Sequence, residues 1–379
     1  MNASLLRRPL TRFAVAAIVG LLSLGSAHAC PFCTAPRATI SERREAAETV
    51  ALVEWASTAG PHERMRVLKL FKAPAGSHPE RLDLPADPAL RASGLWLAFG
   101  RPAADGGFEL EWEALAVDEV SLAYIVRSPS TRVPVGERLK YFCRFLENPD
   151  ALVADDAYAE FGRAPFDEVA KLSGLLPMAS MRGWLEDPRV PELRKGLYGM
   201  ALGLATGADE RAANAACLRK LLRRPASDFR AGFDGLLAGY LLLEGEVALV
   251  EIERRWLIPS DAPLGDVLHA MTALRFYHEY GHAITARRLA AALSHLIRRP
   301  EVAPQAIIDL ARWQAWECLP QVIAAAKPAI GDEPLARAIV GYLLLCPAPQ
   351  AAAPLATWRR ALPGLVAEVQ RGLSPASRQ

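Results

Sequence analysis

The sequence predicts an α+β protein in which a small antiparallel β-domain precedes a long helical region. Short runs of alternating polar and apolar residues occupy the first third of the chain, and apolar residues at helical spacing occupy the rest. In the helical part, an apolar run that ends in a proline occurs five times, with the prolines 39, 37, 34 and 41 residues apart: Pro149, Pro188, Pro225, Pro259 and Pro300. A helical repeat of about 40 residues is typical of an α-solenoid of HEAT type.

Composition limits the kinds of partner that this chain can have. Its 379 residues suffice for two or three domains, and a content of 51% hydrophobic and 23% charged residues is that of a globular protein. The formal net charge is only +2, so the chain lacks the strong positive field that favours nucleic acid. We therefore expect no nucleic acid among its partners.

Residues 1–29 have the pattern of an export signal. A positively charged start precedes the apolar run Phe13–Leu24, and Ala27-His28-Ala29 forms a small-x-small cleavage site. The charge of this start comes from Arg7, Arg8 and Arg12. Cleavage leaves Cys30 as the first mature residue, so we expect export by a Sec-type signal peptide to a periplasmic or extracellular location.

We expect neither a lipid anchor nor a membrane span in the mature chain. A lipoprotein signal usually has leucine three residues before the lipidated cysteine, and here Ala27 stands at that distance from Cys30. The most apolar later run, Leu236–Val250, is too short to cross a bilayer and is interrupted by Glu244 and Glu246.

The mature chain opens with Cys30-Pro31-Phe32-Cys33, the CPFC motif, in a segment that we assign to residues 30–44. Two cysteines at this spacing form a tight disulfide, a redox pair or half of a metal site. Residue 34 is threonine rather than histidine, which excludes attachment of a c-type haem. The pair precedes any visible strand, and the expected compartment is oxidising. We therefore expect a structural disulfide, with a redox or metal-handling role as the alternative.

Alternating and β-branched runs predict a β-domain over residues 45–130. The candidate strands, separated by turn residues, are Thr49–Trp55, Met65–Phe71, Leu95–Phe99, Phe108–Trp112 and Val120–Val126. Five short strands in about 80 residues indicate a small antiparallel, OB-like β-barrel. Because this part of the sequence lacks a basic stripe with interleaved aromatics, we expect a structural or protein-binding barrel.

Apolar residues at helical spacing predict HEAT-like helix pairs over residues 135–372. Ser128-Pro129-Ser130 and Pro134 mark the boundary with the β-domain. Four cysteines lie within apolar helical phrases, and we expect each to be a buried free thiol: Cys143, Cys217, Cys318 and Cys346. The polar tail, residues 373–379, is expected to be disordered.

His278-Glu279-Tyr280-Gly281-His282, the HEYGH motif, matches the zinc-binding pattern H-E-x-x-H. On a continuous helix His278 and His282 share a face and bind Zn²⁺, while Glu279 acts as the general base. A third ligand is needed, and Glu301, 19 residues after His282, is the candidate. However, the motif lies inside the repeat array, where a helix break at Gly281 would separate the histidines. We therefore expect no cofactor, with zinc as the alternative.

Six phrases carry a resemblance to a known family: Cys30–Cys33, Asp155–Phe161, Gly196–Gly203, Gly235–Tyr240, Asp309–Trp313 and Gly341–Pro347. In these the chain resembles a set of uncharacterised exported proteins of planctomycete bacteria. Those proteins begin with CPFC after the signal peptide, continue with a small β-domain and end in HEAT-like repeats. Their pattern has an aromatic, acidic helix end in place of H-E-x-x-H. The resemblance extends over nearly all of the mature chain and implies an architecture without a known activity.

The sequence contains no complete catalytic set, so we expect a non-enzymatic interaction or scaffold protein whose helical repeats bind a protein partner. One alternative is a secreted zinc metallohydrolase that uses residues 278–282. The other is a thiol–disulfide function at Cys30 and Cys33.

Overall fold

The computed structural model describes residue 32 and residues 38–91, 94–102, 110–225, 230–326 and 331–373. The predicted signal peptide, Cys30 and Cys33 lie outside these residues, as does the tail after Leu373. A short helix, α1 (Ile40–Ala46), is followed by five strands in an antiparallel sheet of order β3-β2-β1-β4-β5. The strands are β1 (Thr49–Ala59), β2 (His62–Lys72), β3 (Arg81–Pro85), β4 (Leu95–Pro102) and β5 (Leu110–Val117).

The alternation of side chains along β1 places the sheet between two cores. Val50 and Leu52 face the helices and belong to the main apolar cluster. Ala51 and Val53 face the opposite side, where they enclose a smaller cluster with Met65 of β2. One face of the sheet is therefore covered by the helical region. The other face carries a separate, smaller apolar cluster.

The described strands form an open sheet, which corrects the closed OB-like barrel predicted from the sequence. Residues of the two edge strands, β3 and β5, come within 8 Å of one another (Cα–Cα), yet these strands are not hydrogen-bonded neighbours. Four of the predicted strands overlap observed ones, although Phe108 lies outside the described residues. β3 was not predicted because its two buried positions, Leu82 and Leu84, are too few to show a periodicity.

The predicted strand Val120–Val126 is wrong, because these residues lie in a helix, α2 (Glu119–Arg127). Asp118 caps this helix: its carboxylate accepts a hydrogen bond from the backbone N–H of Ser121 at 2.8 Å. The buried residues Ser121, Tyr124 and Ile125 follow a helical spacing. A short apolar run does not by itself distinguish a strand from a buried helix. Here the cap and the three-residue spacing of the buried residues identify a helix.

The rest of the described chain is helical. Six helices form its first half: α3 (Val135–Phe142), α4 (Ala151–Arg163), α5 (Phe166–Ala170), α6 (Met178–Glu186), α7 (Glu192–Leu202) and α8 (Ala208–Leu222). α9 (Phe233–Glu244), α10 (Glu246–Ile252), α11 (Leu264–Tyr280), α12 (Ala286–Ser294) and α13 (Ala303–Arg312) follow. The last four are α14 (Leu319–Ala325), α15 (Glu333–Leu345), α16 (Ala352–Ala361) and α17 (Pro363–Leu373). The recurrent prolines lie just beyond helical segments, as predicted: α6 ends two residues before Pro188, and α8 ends three before Pro225.

Helices of this region pack on their second neighbours as well as on adjacent helices. α7 packs on α9, α9 on α11, α13 on α15, and α15 on α17. Ion pairs join elements at a similar separation along the chain: Arg194–Asp155 (39 residues), Arg230–Asp266 (36) and Arg275–Asp309 (34). These separations agree with the proline spacing, so one structural unit contacts the next about once per period.

α1 joins the sheet to the helical region. On the sheet side, Arg43 forms an ion pair with Glu113 of β5 at 3.0 Å. On the helical side, the backbone N–H of Ile40 donates to the buried carboxylate of Asp156 in α4 at 2.7 Å. Thr39 and Glu42 form the capping box that begins α1, and this T-x-x-E pattern was a signal in the sequence that the prediction missed.

Cys143, Cys217, Cys318 and Cys346 are free thiols, as predicted. Three of them are buried, but Cys217 is only half-buried, which corrects its predicted burial. Burial raises the pKa of Cys143 and of Cys318 to about 11. In the part of the chain that the structure describes, no helix combines the length and apolarity needed to cross a membrane.

Candidate functional site

The HEYGH motif lies at the end of α11 and does not form one continuous helix. α11 ends at Tyr280, and Gly281 has an extended backbone (φ −87°, ψ 149°). His278 is therefore in the last helical turn and His282 is in the following loop. The i, i+4 helical relation that would place both imidazoles on one face is absent.

The packing of the turn after α11 explains why residue 281 is glycine. The hydroxyl of Tyr277 accepts a hydrogen bond from the backbone N–H of Ala283 at 3.2 Å, which folds the loop back over the tyrosine ring. A Cβ at position 281 would lie 2.5 Å from atoms of this ring, and Tyr277 is only 1% exposed, so the ring has little room to move. The glycine of the motif thus has a packing role.

His278 stacks face to face on Trp313, the residue that directly follows α13. Their ring centroids are 4.3 Å apart and their planes differ by 3°. Burial lowers the pKa of His278 below its usual range, and the charge of Glu279 partly offsets this effect. The imidazole is therefore neutral at neutral pH and acts as a flat surface between α11 and α13.

The other predicted zinc-site residues do not join His278 in a cluster. Glu279 and His282 are exposed. Glu301 lies 3.5 Å from Arg299, with which it forms an ion pair. Among the residues placed by the structure, no group of three or more His, Cys, Asp or Glu side chains has the arrangement of a metal site. Zinc binding at this motif stays a prediction.

The structure places the CPFC motif against the helix that carries HEYGH. Phe32, from the CPFC motif, is buried and packs edge-on against Phe276 of α11, with ring centroids 4.8 Å apart. Phe166 of α5 packs on both Phe276 (4.9 Å) and Tyr280 (4.6 Å). The N-terminal motif is thus anchored on the helix that carries HEYGH, through an aromatic contact that no local pattern indicates. The state of Cys30 and Cys33 stays a prediction.

A large open groove, not predicted from the sequence, lies between α13, α15 and α17. Its volume is about 1000 Å³. Ile308 of α13 and Leu345 of α15 line it and are 40% and 47% exposed. The signal available in the sequence was the pair of small residues Ala338 and Gly341 on α15, but small residues create a groove only where neighbouring helices rise on both sides.

Three arginines and one glutamate line this groove. Arg337 of α15 bridges Glu333 and Glu368, and both carboxylates raise its pKa above the usual range. The ion pair between Arg312 and Asp309 is longer, at 3.8 Å, and the same carboxylate also bonds to Arg275 at 2.6 Å. The charge of Arg312, whose side chain is 74% exposed, is therefore less compensated than that of Arg337.

No protein-family model, curated protein or solved structure matches this chain. The resemblance to exported planctomycete proteins thus stays a prediction, and function is inferred from the geometry of the chain itself.

Proposed function

We propose that this chain is an exported interaction protein whose helical region is a HEAT-like α-solenoid that binds a protein partner. The contacts between units at separations of 34–39 residues support the repeat. Such arrays bind proteins over surfaces that extend across several units.

The observation that carries the proposal is a series of exposed aliphatic side chains on well-separated helices. Val250 of α10, Leu268 of α11, Ile308 of α13 and Leu345 of α15 are 51%, 42%, 40% and 47% exposed. Single exposed apolar residues are common, but several on one array of packed helices favour association with another protein. The export signal that the sequence predicts at residues 1–29 favours a partner in the cell envelope or outside the cell.

The test is site-specific photo-crosslinking in the cell envelope. A benzophenone amino acid is placed singly at Val250, Leu268 and Ile308, and at Thr58, which is exposed on β1, as the control. We expect a discrete crosslinked partner from at least one helical position and none from Thr58. If all three helical positions give no product, or if every position gives the same products as Thr58, the proposed function is wrong.

A further inference from the structure

The groove beside α15 has the dimensions of a helix-binding site. α15 has 13 residues, so the groove follows it for about 20 Å. Ile308 of α13 stands on one side and Val369 of α17 on the other. A single α-helix of three to four turns is the secondary-structure element that fits a straight apolar groove of this length.

Small side chains on α15 give the groove its depth. A Cβ built at Gly341 would reach van der Waals contact with Val369 of α17 alone, at 3.8 Å, so the glycine keeps the surface of α15 low beside that residue. Ala338, one turn earlier, lines the same floor. Larger side chains of a partner can therefore descend between α13 and α17, which is how apolar anchors bury area in helix-in-groove recognition.

The charge around the groove selects the partner. The residues lining the groove include Arg312, Arg337 and Arg371 and one acid, Glu368. Glu333, beside the groove, also pairs with Arg337, so the balance of these charges is positive by one. Arg312 is more exposed than Arg337, at 74% against 38%, and its acidic neighbour Asp309 is engaged more closely by Arg275. An apolar floor beside an excess of positive charge is complementary to a helix with an apolar stripe and acidic flanks.

We infer that this groove binds an amphipathic α-helix of a partner protein, with large aliphatic residues on one face and acidic residues beside them. The inference rests on the proposed function and specifies the partner's chemistry and the groove in which it binds. Arg312 selects for acidic flanks, and the low floor formed by Ala338 and Gly341 receives the aliphatic anchors.

The probes are two fluorescein-labelled, stapled helical peptides of about 15 residues, tested on the mature chain by fluorescence anisotropy. Both carry leucine at i, i+4 and i+7. One has glutamate at the flanking positions and the other has lysine. We expect the glutamate peptide to bind more tightly than the lysine peptide by about tenfold or more at low salt, with the difference shrinking as salt screens the charges.

Two variants locate the binding. Gly341→Leu fills the floor of the groove and should weaken binding of the glutamate peptide by about tenfold. Gly183→Leu, at an exposed glycine of α6 with open space around it, is the matched control and should leave binding unchanged. Arg312→Glu should weaken binding of the glutamate peptide and strengthen binding of the lysine peptide. Loss of folding cannot produce this reversal of preference.

Equal affinity for both peptides, or full binding by Gly341→Leu, would overturn the inference. So would a concentration-dependent dimer in sedimentation that Gly341→Leu abolishes, because the occupant would then be a second copy of this chain. Photo-crosslinks from Val250 or Leu268 alone, together with no binding of either peptide, would exclude the groove as the binding site. The proposed function would still hold.

Discussion

At the scale of single residues, two facing sets of glycines determine how closely α7 and α9 approach. A Cβ built on Gly235 would lie 1.9 Å from the carbonyl oxygen of Gly196, and one on Gly239 would lie 2.0 Å from that of Gly199. These distances are far below van der Waals contact, and both partners are backbone atoms that cannot rotate away. The glycine-rich phrases in the sequence are therefore explained by contact between two helices.

Gly235→Ala should lower the free energy of unfolding by about 3 kcal/mol, because the helices must separate to admit the methyl group. Gly183→Ala is the matched control: this glycine lies in the interior of α6 with nothing within 4 Å of its Cβ position. The control should raise stability by up to about 1 kcal/mol through helix propensity. Urea unfolding measures both. Equal effects of the two substitutions would contradict the close approach.

The buried carboxylate of Asp156 binds the start of α1, and substitutions at this position measure its contribution to stability. Its two oxygens accept hydrogen bonds from the Ile40 N–H and the Tyr124 hydroxyl, each at 2.7 Å. Asp156→Ala leaves both donors without this acceptor and should cost about 3 kcal/mol. Asp156→Asn keeps an acceptor for Ile40 and offers a donor to the tyrosine oxygen, so it should remain within about 1 kcal/mol of wild type. Urea unfolding near neutral pH distinguishes the two variants, and an equally large loss in Asp156→Asn would show that the negative charge itself is required.

The same site predicts a pH dependence. Burial raises the pKa of Asp156 above its ordinary 3.8 and that of Glu160 above its ordinary 4.5. As the pH rises, these carboxyls ionise first in the unfolded chain, so their contribution favours the folded state below these values and is lost as the pH rises toward the folded-state pKa. Asp156→Asn should reduce this loss in unfolding curves measured across that range. An unchanged profile in the variant would mean that Asp156 does not titrate with a raised pKa.

At the scale of elements, local caps and distant contacts both decide what a segment becomes. α1 and α2 begin with side chains that bond to backbone N–H groups three residues later. Both caps satisfy donors that a helix start leaves free. Phe32, in contrast, packs against a residue far away in the chain, Phe276 of α11.

Removing the cap of α2 should weaken that helix selectively. Asp118→Ala deletes the acceptor for the Ser121 N–H, so we expect the melting temperature to fall by a few degrees. Asp118→Asn preserves an acceptor and should retain most of the stability. Hydrogen exchange of the amides at the start of α2 checks the location, since faster exchange confined to other elements would argue against the capping role.

The aromatic anchor at Phe32 makes a second prediction at this scale. Phe32→Ala removes a ring that is 6% exposed and should cost about 3 kcal/mol. Phe32→Leu retains an apolar side chain and should cost less than half as much. Unfolding in urea measures both. A loss below about 0.5 kcal/mol in Phe32→Ala, within the range of ordinary surface substitutions, would show that the contact with Phe276 contributes nothing to stability.

At the scale of the whole molecule, one apolar cluster extends from the sheet through the helices to α17. Val50 of β1 and Val366 of α17 belong to the same set of contacting buried residues. Because each helix contacts mainly its neighbours and second neighbours, the cluster is continuous although its ends are far apart in the chain. Local openings are therefore expected to expose individual helices in turn.

The four cysteines of the helical region report on these openings. Thiolate is the reactive form, and burial raises the pKa of Cys143 and Cys318 to about 11. Both should be alkylated by iodoacetamide much more slowly than the half-buried Cys217, with rates that rise sharply in sub-denaturing urea. Site-resolved mass spectrometry measures each rate. Alkylation of Cys143 as fast as Cys217 in the native protein would contradict its burial.

The sequence by itself determined the features that depend on neighbouring residues. β2 follows from alternation, and β1 and β4 follow from short apolar runs. The helix ends follow from the recurrent prolines, and the free thiols follow from their apolar surroundings. Each of these properties is set within a few residues of chain, so a local pattern is sufficient to predict it.

Only the tertiary structure decided the rest, because the causes lie far away in the chain. Asp118 caps α2 locally, but only the tertiary structure shows that Tyr124 and Ile125 of this helix reach the main core. His278 meets Trp313 across two helices, and Phe32 meets Phe276 across most of the chain. The groove at Gly341 exists because α13 and α17 rise beside it. A contact between distant residues leaves no local period, and so the sequence alone could not show it.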